Sequence, residues 1–263
     1  MFRACNTWLG YRRGGLALAT IGGCGAFAAV CGSSIATAAT MTQVALPEMK
    51  RFNYDYSLAT GSIAAGGTIG ILIPPSVILV LYGILTETNI GELFLAGFVP
   101  GILTIIFFMA TISIVTRIFP NIGPRGDKTT IKQKLLAFKD VWGTVILFLL
   151  VIGGIYTGIF SPEEAAGIGA TGALVLALIA RTMTWPIFMD CLMKTVGTSA
   201  MIFTILIGAI LFNNFLVLSA VPDAIGTWIG TLPFSSTVIM LIILLIYLIM
   251  GCALDSLAMI LLT

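Results

Sequence analysis

Long apolar runs alternate with short polar interruptions along the chain, and basic residues occupy only some of the interruptions. Residues 14–48 hold no Lys or Arg, with Arg12 and Arg13 before them and Lys50 and Arg51 after. One helical crossing of a bilayer takes about 20 residues, and two crossings with a turn take more than about 40. A run of intermediate length with basic residues at both ends predicts a re-entrant hairpin whose ends share the cytoplasmic side. Its turn falls at "CGSS", residues 31–34. Residues 57–85 would span about 40 Å as one helix, more than the hydrocarbon core, so a broken helix is predicted there. "TETNIGE", which follows, has two acids and no base and reads as outside.

A helix over 93–117 returns to Arg117. Residues 119–140 form a basic cytoplasmic linker with an amphipathic interfacial helix expected over 129–139. Helices are expected over 141–160, 163–180 and 195–219, and residues 234–263 read as the start of a second hairpin entering from outside. In "FSPEEAAG", Ser161 suits an N-cap, Pro162 the first helical position, and Glu163 and Glu164 the first turn. This topology puts all 13 Lys and Arg on one side. It divides the chain into a first-repeat part (1–118), the linker (119–140) and a second-repeat part (141–263). "AFAAVCGSSIATAATMTQVALPEM" and "LIYLIMGCALDSLAMILLT" share a glycine and a short serine-bearing step between apolar helices, in opposite orientation. That parity predicts an inverted repeat.

Composition narrows the class. Of 263 residues, 59% are hydrophobic and 9% charged, against about 25% charged in soluble domains. The runs are continuous rather than alternating, which favours an all-α polytopic membrane protein over a barrel. With no histidine in the chain, Ser/His and zinc-hydrolase chemistry is excluded within it. An aspartyl intramembrane protease would need a second membrane Asp beside Asp255. No enzymatic role and no nucleic-acid partner are expected. The five cysteines lack CxxC spacing and read as small packing residues. The start lacks the order of a signal peptide and the end, "DSLAMILLT", lies inside an apolar segment, so a piece of a longer protein is expected.

Three constellations carry chemistry. In "GSSIAT", Gly32, Ser33, Ser34 and Thr37 sit where one hairpin limb ends in free carbonyls and the next begins in free N–H groups. Such backbone at membrane depth needs protein, water or a ligand. Ion or substrate binding, simple N-capping by Ser33 or Ser34, and close helix packing all fit. In "GSIAAGGTIGILIPPS", Pro74 and Pro75 deprive the carbonyls of Gly70 and Ile71 of helical partners. Gly66 and Gly67 permit unwinding there, and Thr68 adds a hydroxyl. An ion-coordinating break or a plain proline kink fits. Asp255 with Ser256 places an ionisable group within an apolar segment, a functional hypothesis by default. Asn213 and Asn214 read as helix-to-helix contacts or as pathway residues.

The blocks "GSSIATAAT…LPEM", "AAGGTIGILIPPS", "YGILTETNIGELFLAGFVPG" and "FSPEEAAG" resemble the large membrane subunit (DctM-like permease) of TRAP, the tripartite ATP-independent periplasmic transporters, over essentially the whole chain. The family pattern usually reads "FTPTEAA" where this chain has "FSPEEAA". The resemblance implies an elevator fold of two inverted repeats with re-entrant hairpins and Pro-Pro broken helices. It implies sodium-coupled import of organic acids such as C4-dicarboxylates or sialic acid across a bacterial inner membrane. The partners it implies are a periplasmic substrate-binding protein and a small DctQ-like membrane subunit, with Na+ as coupling ion and no other cofactor. On this reading Ser33, Ser34, Gly66, Gly67, Thr68, Gly70 and Ile71 hold sodium, and Gly32, Ser33, Ser34, Thr37, Asp255 and Ser256 serve the substrate. Further helices upstream and a second Pro-Pro helix downstream belong to the family pattern. The alternatives are a related carboxylate carrier without a binding protein, a channel or a membrane scaffold.

Overall fold

A computed structural model describes the chain except residues 127–129, 131, 132, 135, 138–140, 232, 253, 255 and 263, and the side chains of 257, 261 and 262. All its described regular elements are helices. They form two compact units, Met1–Ala180 and Arg181–Thr263.

The first unit is built around α2 (Gly15–Cys31), whose first seven residues are all buried. Its small Gly and Ala residues let neighbours approach closely, and α1 (Phe2–Leu9), α3 (Ser34–Arg51), α4 (Tyr56–Thr68) and α6 (Ile90–Ile118) all pack on it. Leu16, Ile21, Cys24, Met41, Met49, Ile63 and Ile69 form the shared core. Lys50 and Arg51 close the last turn of α3, where cations complement the helix dipole. After α4 the chain tightens into a 3-10 turn at Ile69–Ile71, passes Pro74 and Pro75, joined by a cis peptide bond, and restarts as α5 (Val77–Leu85). Asn89 then caps α6, its side-chain oxygen accepting from Gly91 N–H at 2.9 Å.

Two later helices belong to this unit, α7 (Trp142–Tyr156) and α8 (Pro162–Ile179), packed through Leu147, Val151 and Ala165. The start of α8 is a reciprocal capping box. Glu164 N–H donates to Ser161 Oγ at 3.2 Å and Ser161 N–H donates to Glu164 Oε2 at 2.9 Å.

A strap after α6 ties the helix ends together. Asp55 N–H donates to Ile122 O and Gly14 N–H to Gly123 O, both at 3.0 Å, and Gly126 N–H donates to Gly10 O at 3.0 Å. Buried Tyr54 donates its hydroxyl to Pro124 O at 2.8 Å and accepts Leu16 N–H at 3.1 Å. That last bond satisfies one of the orphan donors at the start of α2.

The second unit holds α9 (Trp185–Leu218), α10 (Val221–Thr231), α11 (Ser236–Met250) and α12 (Ser256–Leu262). The sequence suggests a helix from 195, but α9 begins at Trp185. Its first turns are largely apolar but carry Pro186 at the start and the charged pair Asp190 and Lys194, 2.6 Å apart and one turn from each other, and a charge-free span counted from 195 leaves those turns out. Helix α10 lies between the helix expected over 195–219 and the hairpin start expected from 234, where no element is expected from the sequence. The interfacial helix expected over 129–139 lies largely outside the described residues.

Among the described residues, α6, α8 and α9 are long and apolar enough to cross a membrane, and α2, α7 and α11 are apolar but shorter. Phe107, Leu149, Ile179 and Leu218 are exposed, Leu218 by 88%. Such faces suit a hydrocarbon solvent rather than water.

Candidate functional site

The hairpin turn between α2 and α3 is two residues long. Gly32 closes α2 at φ +61°, its N–H bonded to Ala28 O. That left-handed conformation is one that glycine adopts at little cost. Ser33 is extended and caps α3, its hydroxyl accepting from Ala36 N–H at 3.4 Å. The Ser33 carbonyl accepts both Thr37 N–H at 3.1 Å and the Thr37 hydroxyl at 2.7 Å. Of the two capping candidates, Ser33 is therefore the cap. The half-buried Ser34 has no partner for its hydroxyl among the described residues.

The break after α4 docks directly on this turn. Val77 N–H donates to Gly32 O at 3.4 Å, and a Cβ on Gly32 would collide with the Pro75 carbonyl oxygen. A Cβ on Gly70 would lie 2.6 Å from Ser33 O and 2.8 Å from Thr37 Oγ1. Gly66 and Gly67, expected to unwind the backbone, instead lie within α4. Their missing side chains admit neighbours, with Cys24 of α2 facing Gly66 and Ala38 of α3 facing Gly67. Unwinding begins only at Ile69, because a proline removes hydrogen bonds from the turn before it rather than from two turns before.

The two carbonyls singled out by the prolines differ. Ile71 O accepts the Ser76 hydroxyl at 2.7 Å, while no loop or cap N–H among the described residues reaches Gly70 O. Ser76 is fully engaged, since its hydroxyl also caps α5. Its position directly after Pro-Pro, where a new helix must start, was the signal for that role. Thr68 is exposed and donates its hydroxyl to Ala65 O at 2.7 Å, leaving oxygen lone pairs available.

Next to the turn, a mainly apolar cavity of about 360 Å³ lies between Cys31, Pro75 and Ser76 on one side and Phe94, Pro162 and Ala165 on the other. Ser33, Ser34 and Thr37 are not among its walls. The structure thus brings Gly32, Ser33, Thr37, Gly70 and Pro75 into one cluster. Ser256 opens α12 in the second unit, and Asp255 lies outside the described residues.

The family model for the tripartite ATP-independent periplasmic transporter, DctM component, matches residues 1–263. The chain belongs to the DctM family. Among curated DctM relatives, the C4-dicarboxylate TRAP transporter large permease protein of Pseudomonas aeruginosa is 36% identical over 97% of this chain and 60% of its own length. The isethionate TRAP transporter permease protein DctMQ of Oleidesulfovibrio alaskensis is 35% identical over 98% of this chain and 41% of its own. The sialic acid TRAP transporter large permease protein of Vibrio cholerae is 30% identical over 100% of this chain and 61% of its own. The chain therefore spans at most about three fifths of these DctM relatives. The family is one of membrane permeases, and its chemistry is translocation.

Proposed function

We propose that this chain is part of the large permease subunit of a sodium-coupled secondary transporter importing organic acids. The observation that carries the reading is the docking of the Gly32–Ser33 turn on the Gly70–Ser76 break within a DctM-family chain. Oxygen ligands without full protein partners occur in these two segments: the Gly70 carbonyl, and the Ser34 and Thr68 hydroxyls. Hard cations such as Na+ take such ligands, and the start of α3 offers a positive dipole end to an anionic substrate. Sodium bound there would stabilise the loaded carrier, and the hairpin and broken helix would then move as an elevator. The Asp255–Ser256 step would contribute from the second of two inverted repeats.

The names of the relatives point to C4-dicarboxylates, isethionate or sialic acid as the substrate class. On this reading a periplasmic binding protein delivers the substrate, a small DctQ-like subunit completes the complex, and the site of action is the bacterial inner membrane. The test is uptake of labelled C4-dicarboxylate and sialic acid into proteoliposomes carrying the full transporter, with the sodium gradient and the binding protein each supplied or omitted. Uptake that needs both supports the reading. Uptake that ignores sodium overturns the coupling, and uptake that survives without the binding protein marks the related class of carriers instead.

A further inference from the structure

Four arginines from three separate segments surround one polar pocket of about 510 Å³ in the first unit. Arg12 and Arg13 come from the turn between α1 and α2, Arg117 from the last turn of α6, and Arg125 from the strap. Hydrogen bonds hold these segments together, including Gly14 N–H to Gly123 O and the Thr116 hydroxyl to Arg13 O at 3.4 Å. Among the described residues none of the four arginines meets a carboxylate; the one ion pair there is Asp190–Lys194. Like charges gathered without counter-ions repel one another, so this pocket is suited to an anion.

A second, almost wholly apolar groove of about 700 Å³ begins beside it. Trp8 and Leu9 stand at its near end, Gly22 and Ala26 mark its course along α2, and Val145 and Phe148 of α7 form the facing wall. It reaches Val30, next to the hairpin turn. From Gly22 to Val30 the helix rises about 12 Å, so the groove runs along the helices into the hydrocarbon depth. Lys134 bridges the two spaces, its ammonium 5.5 Å from the Trp8 ring centre and 5.1 Å from that of Tyr11. Aromatic rings at such a junction are typical of the membrane interface. Hydrogen bonding and charge from Arg12, with a smaller contribution from Lys134, hold the Tyr11 phenol below its ordinary pKa.

We propose that this pair of spaces binds one anionic phospholipid of the cytoplasmic leaflet, its phosphate among Arg12, Arg13, Arg117 and Arg125 and an acyl chain in the groove past Trp8. Guanidinium forks pair with phosphate oxygens in bidentate fashion. Basic pockets between membrane helices on the cytoplasmic side recognise anionic headgroups in this way. A free phosphate would use the arginines but not the groove, and a neutral lipid the groove but not the arginines.

The test is native mass spectrometry of the purified protein, delipidated and then offered phosphatidylglycerol or phosphatidylcholine. Phosphatidylglycerol is expected to be retained in preference to phosphatidylcholine. The variant R12Q/R13Q/R117Q/R125Q should lose that preference by about tenfold or more, while K50Q/R51Q, on the same face, keeps it. Ala26→Phe, which fills the groove and leaves every charge in place, should also lower retention. Circular dichroism and gel filtration establish that each variant is folded, and one that is not is replaced by the single variants R117Q and R125Q. Equal retention of the two lipids, retention unaffected by A26F, or displacement of phosphatidylglycerol by inorganic phosphate would each overturn the proposal.

Discussion

Gly70 and Ser33 meet backbone to backbone, with the Ser33 carbonyl oxygen 2.6 Å from where a Cβ on Gly70 would stand. Neither side can yield easily, because that carbonyl is held by two bonds from Thr37. Gly70→Ala should therefore lower stability by about 1–3 kcal/mol. Gly61, on the same broken helix, has nothing within 4 Å of its hypothetical Cβ. Gly61→Ala should raise stability by about 0.5–1 kcal/mol through helix propensity. Thermal unfolding of the two variants in detergent separates these outcomes, and equal shifts would contradict the close approach.

Adjacent serines at the turn should behave differently. Ser33→Ala removes the N-cap of α3 and should cost about 1 kcal/mol of stability. Ser34→Ala removes a hydroxyl without a described protein partner and should leave stability within about 0.5 kcal/mol. If sodium binds here, Ser34→Ala weakens the sodium dependence of uptake in the full transporter. Pro74→Ala should do the same by restoring an N–H donor opposite Gly70 O. Unchanged sodium dependence in both variants would remove this cluster from the ion site.

Tyr54→Phe should cost about 1–3 kcal/mol, because it leaves the Leu16 N–H and Pro124 carbonyl without their shared partner. The effect depends on pH. Burial raises the Tyr54 phenol above its ordinary value, partly countered by the hydrogen bond from Leu16. Its contribution is thus full below about pH 10, the unfolded value, and declines as pH rises toward the folded one. Unfolding followed across the alkaline range should show this decline in the parent protein and a smaller one in Tyr54→Phe.

Asp55 works in the opposite direction at the start of α4. Hydrogen bonds from the Ser57 hydroxyl and then the Ser57 N–H hold its carboxyl below the ordinary range. The stabilisation is present above about pH 3.9 and lost as pH falls through the lower folded value. Stability measured against pH should show the parent protein and Asp55→Asn differing by a constant amount near neutrality. The difference should shrink below that window, and a constant difference down to acid would contradict the cap.

What the sequence revealed depended on the range of the interaction. The all-helical membrane character and the family followed from apolar runs and from blocks such as "GGTIGILIPPS". The "CGSS" stretch was legible because small polar residues inside an apolar run have few structural uses. Which residue faces which was not legible. Gly66 and Gly67 looked like loosened backbone, yet their neighbours are Cys24 and Ala38 on other helices, and spacing along one helix says nothing about a partner across a gap. Tyr54 went unremarked for the same reason, since its partners Leu16 and Pro124 lie 38 and 70 residues away. The early start of α9 was hidden by Asp190 and Lys194, whose charges cut the apolar span short at 195 although the turns around them are apolar.

The strap also sets an order of assembly during synthesis. Leu16 and Tyr54 leave the ribosome well before Pro124, and Arg13 precedes its partner Thr116 by 103 residues. Chains emerge at roughly 5–20 residues per second, so several seconds pass in which the base of the hairpin has helices but no fastening. Through that interval the Gly14 amide and the Tyr54 hydroxyl lack their strap partners, Gly123 O and Pro124 O, and depend on water and headgroups. The base of the hairpin is therefore fastened only once α6 is complete and Gly126 has been added.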